Sequence, residues 1–124
     1  MSSTSPPSRF RWEDVLGVAI DLSKLADEAS LRSSVSRSYY FVFNLARAKV
    51  GLVPPPGSPP QPDAHRKCWE AVAHTFGAAT AKTARALREK RNNADYDLFV
   101  PTIVRWDWEA KSAIAKARKI ARVL

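Results

Sequence analysis

From Trp12 onward, apolar and small residues recur every three or four positions and the charged residues fall between them. Val15, Val18, Ala19, Leu22, Leu25, Ala26 and Ala29 keep this spacing, which predicts an amphipathic helix ending near Ser30. Glu13 and Asp14 stand in its first turn, where the helix dipole favours acids. A second helix is expected over 31–50, on the stripe Leu31, Val35, Tyr39, Val42, Ala46 and Val50. Tyr40 and Phe41 lie outside that stripe, so the helix is apolar on more than one side. Such a helix is central in a bundle or touches a second chain.

The pattern then stops. GLVPPPGSPPQPD, residues 51–63, carries six prolines, and neither a helix nor a central strand survives that. It reads as a stiff, exposed connector. A short third helix follows over 64–76 with Cys68, Val72 and Phe76 inward, and Gly77 is placed to end it. A fourth is expected over 80–92. The fifth runs from about 102 to the end, with Thr102 as its N-cap and Trp106, Ala110, Ala113, Ile114, Ala117, Ile120, Ala121 and Leu124 as its stripe. No run alternates as a half-buried strand does. The expected architecture is all-α: one up-and-down bundle of four to five helices over 12–124, behind a disordered Ser/Pro-rich tail over 1–11.

Composition narrows the function classes. A chain of 124 residues suits one domain. It has no apolar run long enough for a membrane span and no apolar core of a signal peptide near its start, so a cytoplasmic protein is expected. The single cysteine, Cys68, has no partner for a disulfide and no spaced companions for a zinc site. His65 and His74, the two histidines, are nine apart, which is not a metal-ligand spacing on one helix face. With no Gly-rich phosphate loop and no nucleophilic triad, neither a cofactor nor a metal is expected. The net charge of +8 points instead to a polyanion or an acidic partner.

The chemistry concentrates in REKRNNADYD, residues 88–97. On a helical wheel Thr80, Ala84, Leu87 and Ala94 share one side, and Arg91 falls among them while Lys82, Arg85, Glu89, Lys90 and Asn93 face away. A guanidinium on an apolar face needs a partner. Asp95, one turn on, supplies it if the helix continues. Two readings follow. Arg91–Asp95 is an ion pair closing a helix end, or Arg91 lines a cleft and holds a phosphate with its fork. Arg32, Arg37, Arg47, Arg85, Arg88 and Lys90 are candidates for a phosphate-tracking surface, against a solvated basic face. Either histidine could meet Arg91 as an acid/base group or serve only in packing. Trp108, on the polar side of the last helix, could stack a base or pack.

RSYYFVFNLARAKV (37–50), HRKCWEAV (65–72) and LREKRNNADYD (87–97), followed by an amphipathic last helix, resemble in order and spacing the HEPN domain family. The resemblance covers roughly 12–124. It implies a four- to five-helix bundle that commonly dimerises. Many members are metal-independent ribonucleases of toxin–antitoxin or defence systems; others are non-catalytic modules, often encoded beside a nucleotidyltransferase. Catalytic members carry arginine, a polar residue, then histidine after four to six intervening residues. Arg91 and Asn92 match that motif; Tyr96 stands where the shortest spacing puts the histidine, and no histidine follows. Cleavage through the 2′-hydroxyl wants a group that exchanges protons near neutrality, for which a phenol is poorly suited. Carried over by resemblance, Arg91, Asn92, Asp95 and Tyr96 are the candidate catalytic residues, with Arg37, Arg85, Arg88 and Lys90 on the candidate RNA-binding surface. The partners implied are RNA, a second copy in a homodimer, or a nucleotidyltransferase.

Overall fold

A computed structural model describes residues 9–97 and 104–124. Among the described residues five helices follow in order: α1 Trp12–Ser23, α2 Glu28–Val50, α3 Ala64–Phe76, α4 Ala78–Tyr96 and α5 Trp106–Val123. Among the described residues there is no strand, and the molecule is an all-α bundle. The expected Thr102 cap and most of the expected tail lie outside the described residues.

Helix α2 is the axis. It packs against each of the other four helices, and its nine buried residues face more than one side. Phe41, off the predicted stripe, is 2% exposed, as a central helix requires. Against α1 the contact is made by small residues, Ala19, Ser34 and Ser38. The buried hydroxyls are satisfied by backbone carbonyls: Ser34 Oγ donates to Ala19 O at 2.6 Å and Ser38 Oγ to Ser34 O at 2.9 Å. Against α5 the core is alanine-rich, with Ala110, Ala113 and Ala117 beneath Trp106 and Ile120.

Two boundaries differ from the pattern. Helix α1 ends at Ser23 rather than near Ser30, because Asp27 starts a new helix. Its carboxylate accepts from the Ser30 backbone N–H at 3.0 Å and from Ser30 Oγ at 2.8 Å. These bonds hold the Asp27 carboxyl below its ordinary range. Helix α4 does not fray at Asn92 but continues to Tyr96. The Arg91–Asp95 pair bridges that last turn, and the Asp97 N–H closes it on Asn93 O at 3.2 Å. The proline-rich connector holds neither helix nor strand. It leaves α2 through Gly51, whose φ of 74° is the left-handed conformation that spares glycine a Cβ penalty.

Candidate functional site

Helices α2 and α4 run antiparallel, and the site forms along their seam. Ser36 Oγ donates to Asp95 Oδ2 at 3.1 Å at one level. Tyr39 and Tyr40 meet Arg91 at the next, with the guanidinium carbon 5.3 Å and 5.2 Å from the two ring centroids. Tyr96 adds a third ring at 5.9 Å. Arg91 is thus 5% exposed, its charge spread over aromatic faces. Its polar partners are long: Asp95 at 3.7 Å and the Tyr96 hydroxyl at 3.5 Å, while its Nε has no hydrogen bond. The expected ion pair exists, and it is loose for a buried charge.

The first turn of α3 closes the seam from below. Here Trp69 Nε1–H donates to the Tyr39 hydroxyl at 3.0 Å, and that hydroxyl lies 2.6 Å from His65 Nδ1. The Tyr39 proton needs an acceptor, and His65 Nδ1 is the one within reach. This bond fixes the imidazole with its own proton on Nε2. The ring also stacks on Phe43, centroid to centroid 4.0 Å, within a nearly parallel group that includes Tyr39. Burial, then the positive charges of Arg88, Arg91 and Arg47, push the His65 pKa down to about 4. His65 is therefore a neutral imidazole near pH 7. Burial pushes the Tyr39 phenol well above its ordinary range, and it also pushes the Cys68 thiol up to about 11.

Two more cations surround this group. Arg47 lies over Phe43 at 4.6 Å and donates to Asn44 Oδ1 at 2.7 Å. Arg88 is half-buried and has no hydrogen-bond or ion-pair partner among the described residues. The Nε atoms of both are buried without a hydrogen bond. Of the three guanidiniums around His65, Arg91 alone has a carboxylate, Asp95, within 4 Å among the described residues.

The other predicted residues divide. Asn92 is half-buried and falls on one stripe of α4 with Arg85, Arg88 and Tyr96, at spacings of three and four. Arg85 and Arg37 are exposed, and Arg37 shares a stripe of α2 with Tyr40, Asn44 and Arg47. Lys90 leaves the set: it turns to α5 and pairs with Glu109 at 3.4 Å. Arg32 leaves it too, held by the Asp97 carbonyl and Trp106. Trp108 is 59% exposed and His74 is exposed at the far end of α3, both away from the seam. Pattern reading missed Trp69, 1% exposed, whose spacing of four from His65 and three from Val72 was the available signal. It also took Tyr39 for plain core.

Among the described residues, no group of three or more His, Cys, Asp or Glu could hold a metal ion, and no helix is long and apolar enough to cross a membrane. The arrangement suits the binding of an anion through planar donors beside aromatic faces. No family model, curated protein or solved structure matches the chain.

Proposed function

We propose that this chain is an RNA-directed, HEPN-like protein that grips a backbone phosphate through Arg91 and, in the full form of the reading, cleaves RNA without a metal. One observation carries it. Arg91 is 5% exposed, yet its nearest carboxylate is 3.7 Å away, and the charges of Arg47 and Arg88 act on the same His65 imidazole as its own. A buried cation this poorly matched is stabilised by a ligand that brings negative charge and paired oxygens, as a phosphodiester does. The exposed face of Tyr96 offers a platform for an unstacked base. The net charge of +8 draws a polyanion from a distance. In a cleavage reaction the guanidiniums would stabilise the charge that grows on the phosphorus oxygens. The toxin–antitoxin or defence setting belongs to the same reading.

The test is incubation of the purified protein with total RNA in chelator, beside Arg91→Ala. Binding to a single-stranded RNA is followed by fluorescence anisotropy in the same samples. Cleavage that the variant loses supports the full reading. Binding weakened at least about tenfold in the variant, without cleavage, retains an RNA-binding protein. Equal affinity in both proteins overturns the proposal.

A second reading, a non-catalytic module that holds a nucleotidyltransferase or another copy of itself, is favoured by α1. Val18 stands 48% exposed on its outer side beside half-buried Val15 and Leu22, and Leu25, in the turn that follows, is 50% exposed. An apolar strip of this kind suits a protein surface. Light scattering that returns twice 13.8 kDa, and the monomer mass for Val18→Glu, supports a homodimer built on that strip.

A further inference from the structure

The cations at the α2–α3–α4 junction do more than track a strand. We propose that Arg47, Arg88 and Arg91, with the Nε2–H of His65, form a binding site for one phosphodiester group. The assignment rests on the RNA reading for the origin of the phosphate, while the site itself rests on geometry.

Three features converge. Arg47, Arg88 and Arg91 each carry a buried Nε with no hydrogen bond; so does Arg32, but its Nε has the Glu28 carboxylate at 3.4 Å, and among the described residues no carboxylate lies so near the other three. The three come from two helices: Arg47 of α2 lies 4.6 Å from the Phe43 ring that stacks on His65, Arg91 of α4 lies 5.3 Å from the Tyr39 ring whose hydroxyl meets His65 Nδ1, and Arg88 precedes Arg91 by about one turn. No carboxylate pairs with Arg47 or Arg88 among the described residues, and the one near Arg91 is Asp95 at 3.7 Å. Leaving buried donors unmade is costly, and clustered guanidiniums repel one another. A protein keeps such a cluster where an anion completes it.

His65 belongs to the site as a fixed donor rather than as a proton shuttle. Trp69 donates to Tyr39, Tyr39 donates to His65 Nδ1, and the imidazole proton is left on Nε2. Stacking on Phe43 holds the ring plane. Nε2 has no hydrogen-bond partner among the described residues. Every charged group facing the imidazole is basic: Arg47 from α2, Arg88 and Arg91 from α4. Within α3, the neighbouring Cys68 thiol is neutral near pH 7, and Asp63, which precedes the helix, is engaged by Arg66 at 3.1 Å and Lys67 at 3.3 Å. Burial is the main reason His65 stays neutral, and the surrounding cations add to it; an anion bound here offsets that second part, so binding at the guanidiniums and protonation of His65 are linked.

The probe is inorganic sulfate, which keeps its double charge across the pH range of interest. Histidine ring signals are followed by ¹H–¹⁵N NMR from pH 7 to pH 4 in sulfate and in chloride at matched ionic strength. In chloride the His65 ring is expected as the neutral Nε2–H form down to about pH 4. In sulfate its midpoint is expected to rise by about one pH unit. Arg47→Gln and Arg88→Gln should each reduce that rise, and each should weaken single-stranded RNA binding about three- to tenfold. A His65 midpoint equal in the two salts, with both variants binding RNA as the parent does, overturns the site while leaving an Arg91-dependent RNA reading intact. A sulfate-linked shift in a protein that binds no RNA supports the anion site and sinks the RNA reading instead. Because the two variants alter the site from separate helices, a folding failure in one leaves the other to decide.

Discussion

Arg32 and Arg91 are both guanidiniums drawn out of bulk water and laid against aromatic rings, but their surroundings differ in kind. Arg32 donates to the Asp97 carbonyl at 2.5 Å, has the Glu28 carboxylate 3.4 Å from its Nε, and lies 4.8 Å from the Trp106 ring centre. It ties the start of α2 to the end of α4 and the start of α5. Arg91 is more buried, its side chain 6% exposed against 19%, yet its polar contacts are the longer ones. A charge that serves the fold is met at short range by a carbonyl and a carboxylate, even though the Nε of Arg32, like that of Arg91, makes no hydrogen bond. A charge left underpaired beside two further cations has the character of a site waiting for an anion. The difference is one of satisfaction rather than of burial, and it separates two arginines that look alike in sequence.

The largest effect that would break this comparison is on stability. Arg32→Ala removes a buried donor to a backbone carbonyl and a cation over Trp106, and is expected to cost about 2–3 kcal/mol in chemical denaturation. RNA affinity should stay within about twofold, since Arg32 is already engaged by the Asp97 carbonyl, Glu28 and Trp106. A loss of RNA affinity as large as that of Arg91→Ala would place both arginines on one binding surface and end the distinction.

Next comes the pH response, which should belong to the Arg91 side alone. His65 is held at about 4 in the folded chain, against an ordinary value near 6.5 in the unfolded one. Above pH 6.5 both states hold a neutral ring, and this group contributes no pH dependence. Between 6.5 and 4 the unfolded chain takes up a proton that the folded chain refuses, so stability falls as pH falls, and the loss is complete near pH 4. Discounted for solvent screening, the loss is about 1–2 kcal/mol. Carboxylates titrate across part of the same window, so the measurement is a difference: urea unfolding at pH 7 and pH 4.5 for the parent and for His65→Gln. The parent should lose more between the two pH values. Equal losses would mean that neither burial nor the surrounding cations hold the His65 pKa down in the folded chain.

How far this was legible in the sequence follows from the same residues. Helical spacing was enough for five helices and for a central α2, because apolar periodicity is a property of each helix by itself. It located Arg91 on a buried face for the same reason, and Asp95 as its partner once α4 was seen to continue. Two things lay beyond it. The start of α2 turned on a single capping carboxylate, Asp27, competing with a run of residues that keep helical spacing straight through it. The His65–Tyr39–Trp69 chain depends on how α3 returns to α2 after a connector of thirteen residues, 51–63, and no local pattern encodes that. The partner of Lys90 was out of reach for a related reason: a wheel tells which way a side chain points, but not that α5 brings Glu109 to meet it.

The smallest effect sharpens the comparison most. Asp95 is the one acid at the seam, 3.7 Å from Arg91 and accepting from Ser36 at 3.1 Å, with its side chain 26% exposed. If it only offsets part of the positive charge, then a phosphate and Asp95 compete for Arg91. Asp95→Asn keeps the shape and an oxygen for Ser36 but removes the competing charge. It should raise RNA affinity about two- to fivefold at low salt, and the gain should shrink as salt screens the site. The cost in stability should stay below about 1 kcal/mol, because the pair is long at 3.7 Å and Asp95, unlike Arg91, is exposed. The matched change at the other arginine, Glu28→Gln, removes a carboxylate from Arg32 and should leave RNA affinity where it was. The outcome that would count against this account is a fall in affinity for Asp95→Asn. Asp95 would then be orienting Arg91 for its ligand rather than competing with it, and the contrast between a closed arginine and an open one would become a contrast between two kinds of clamp.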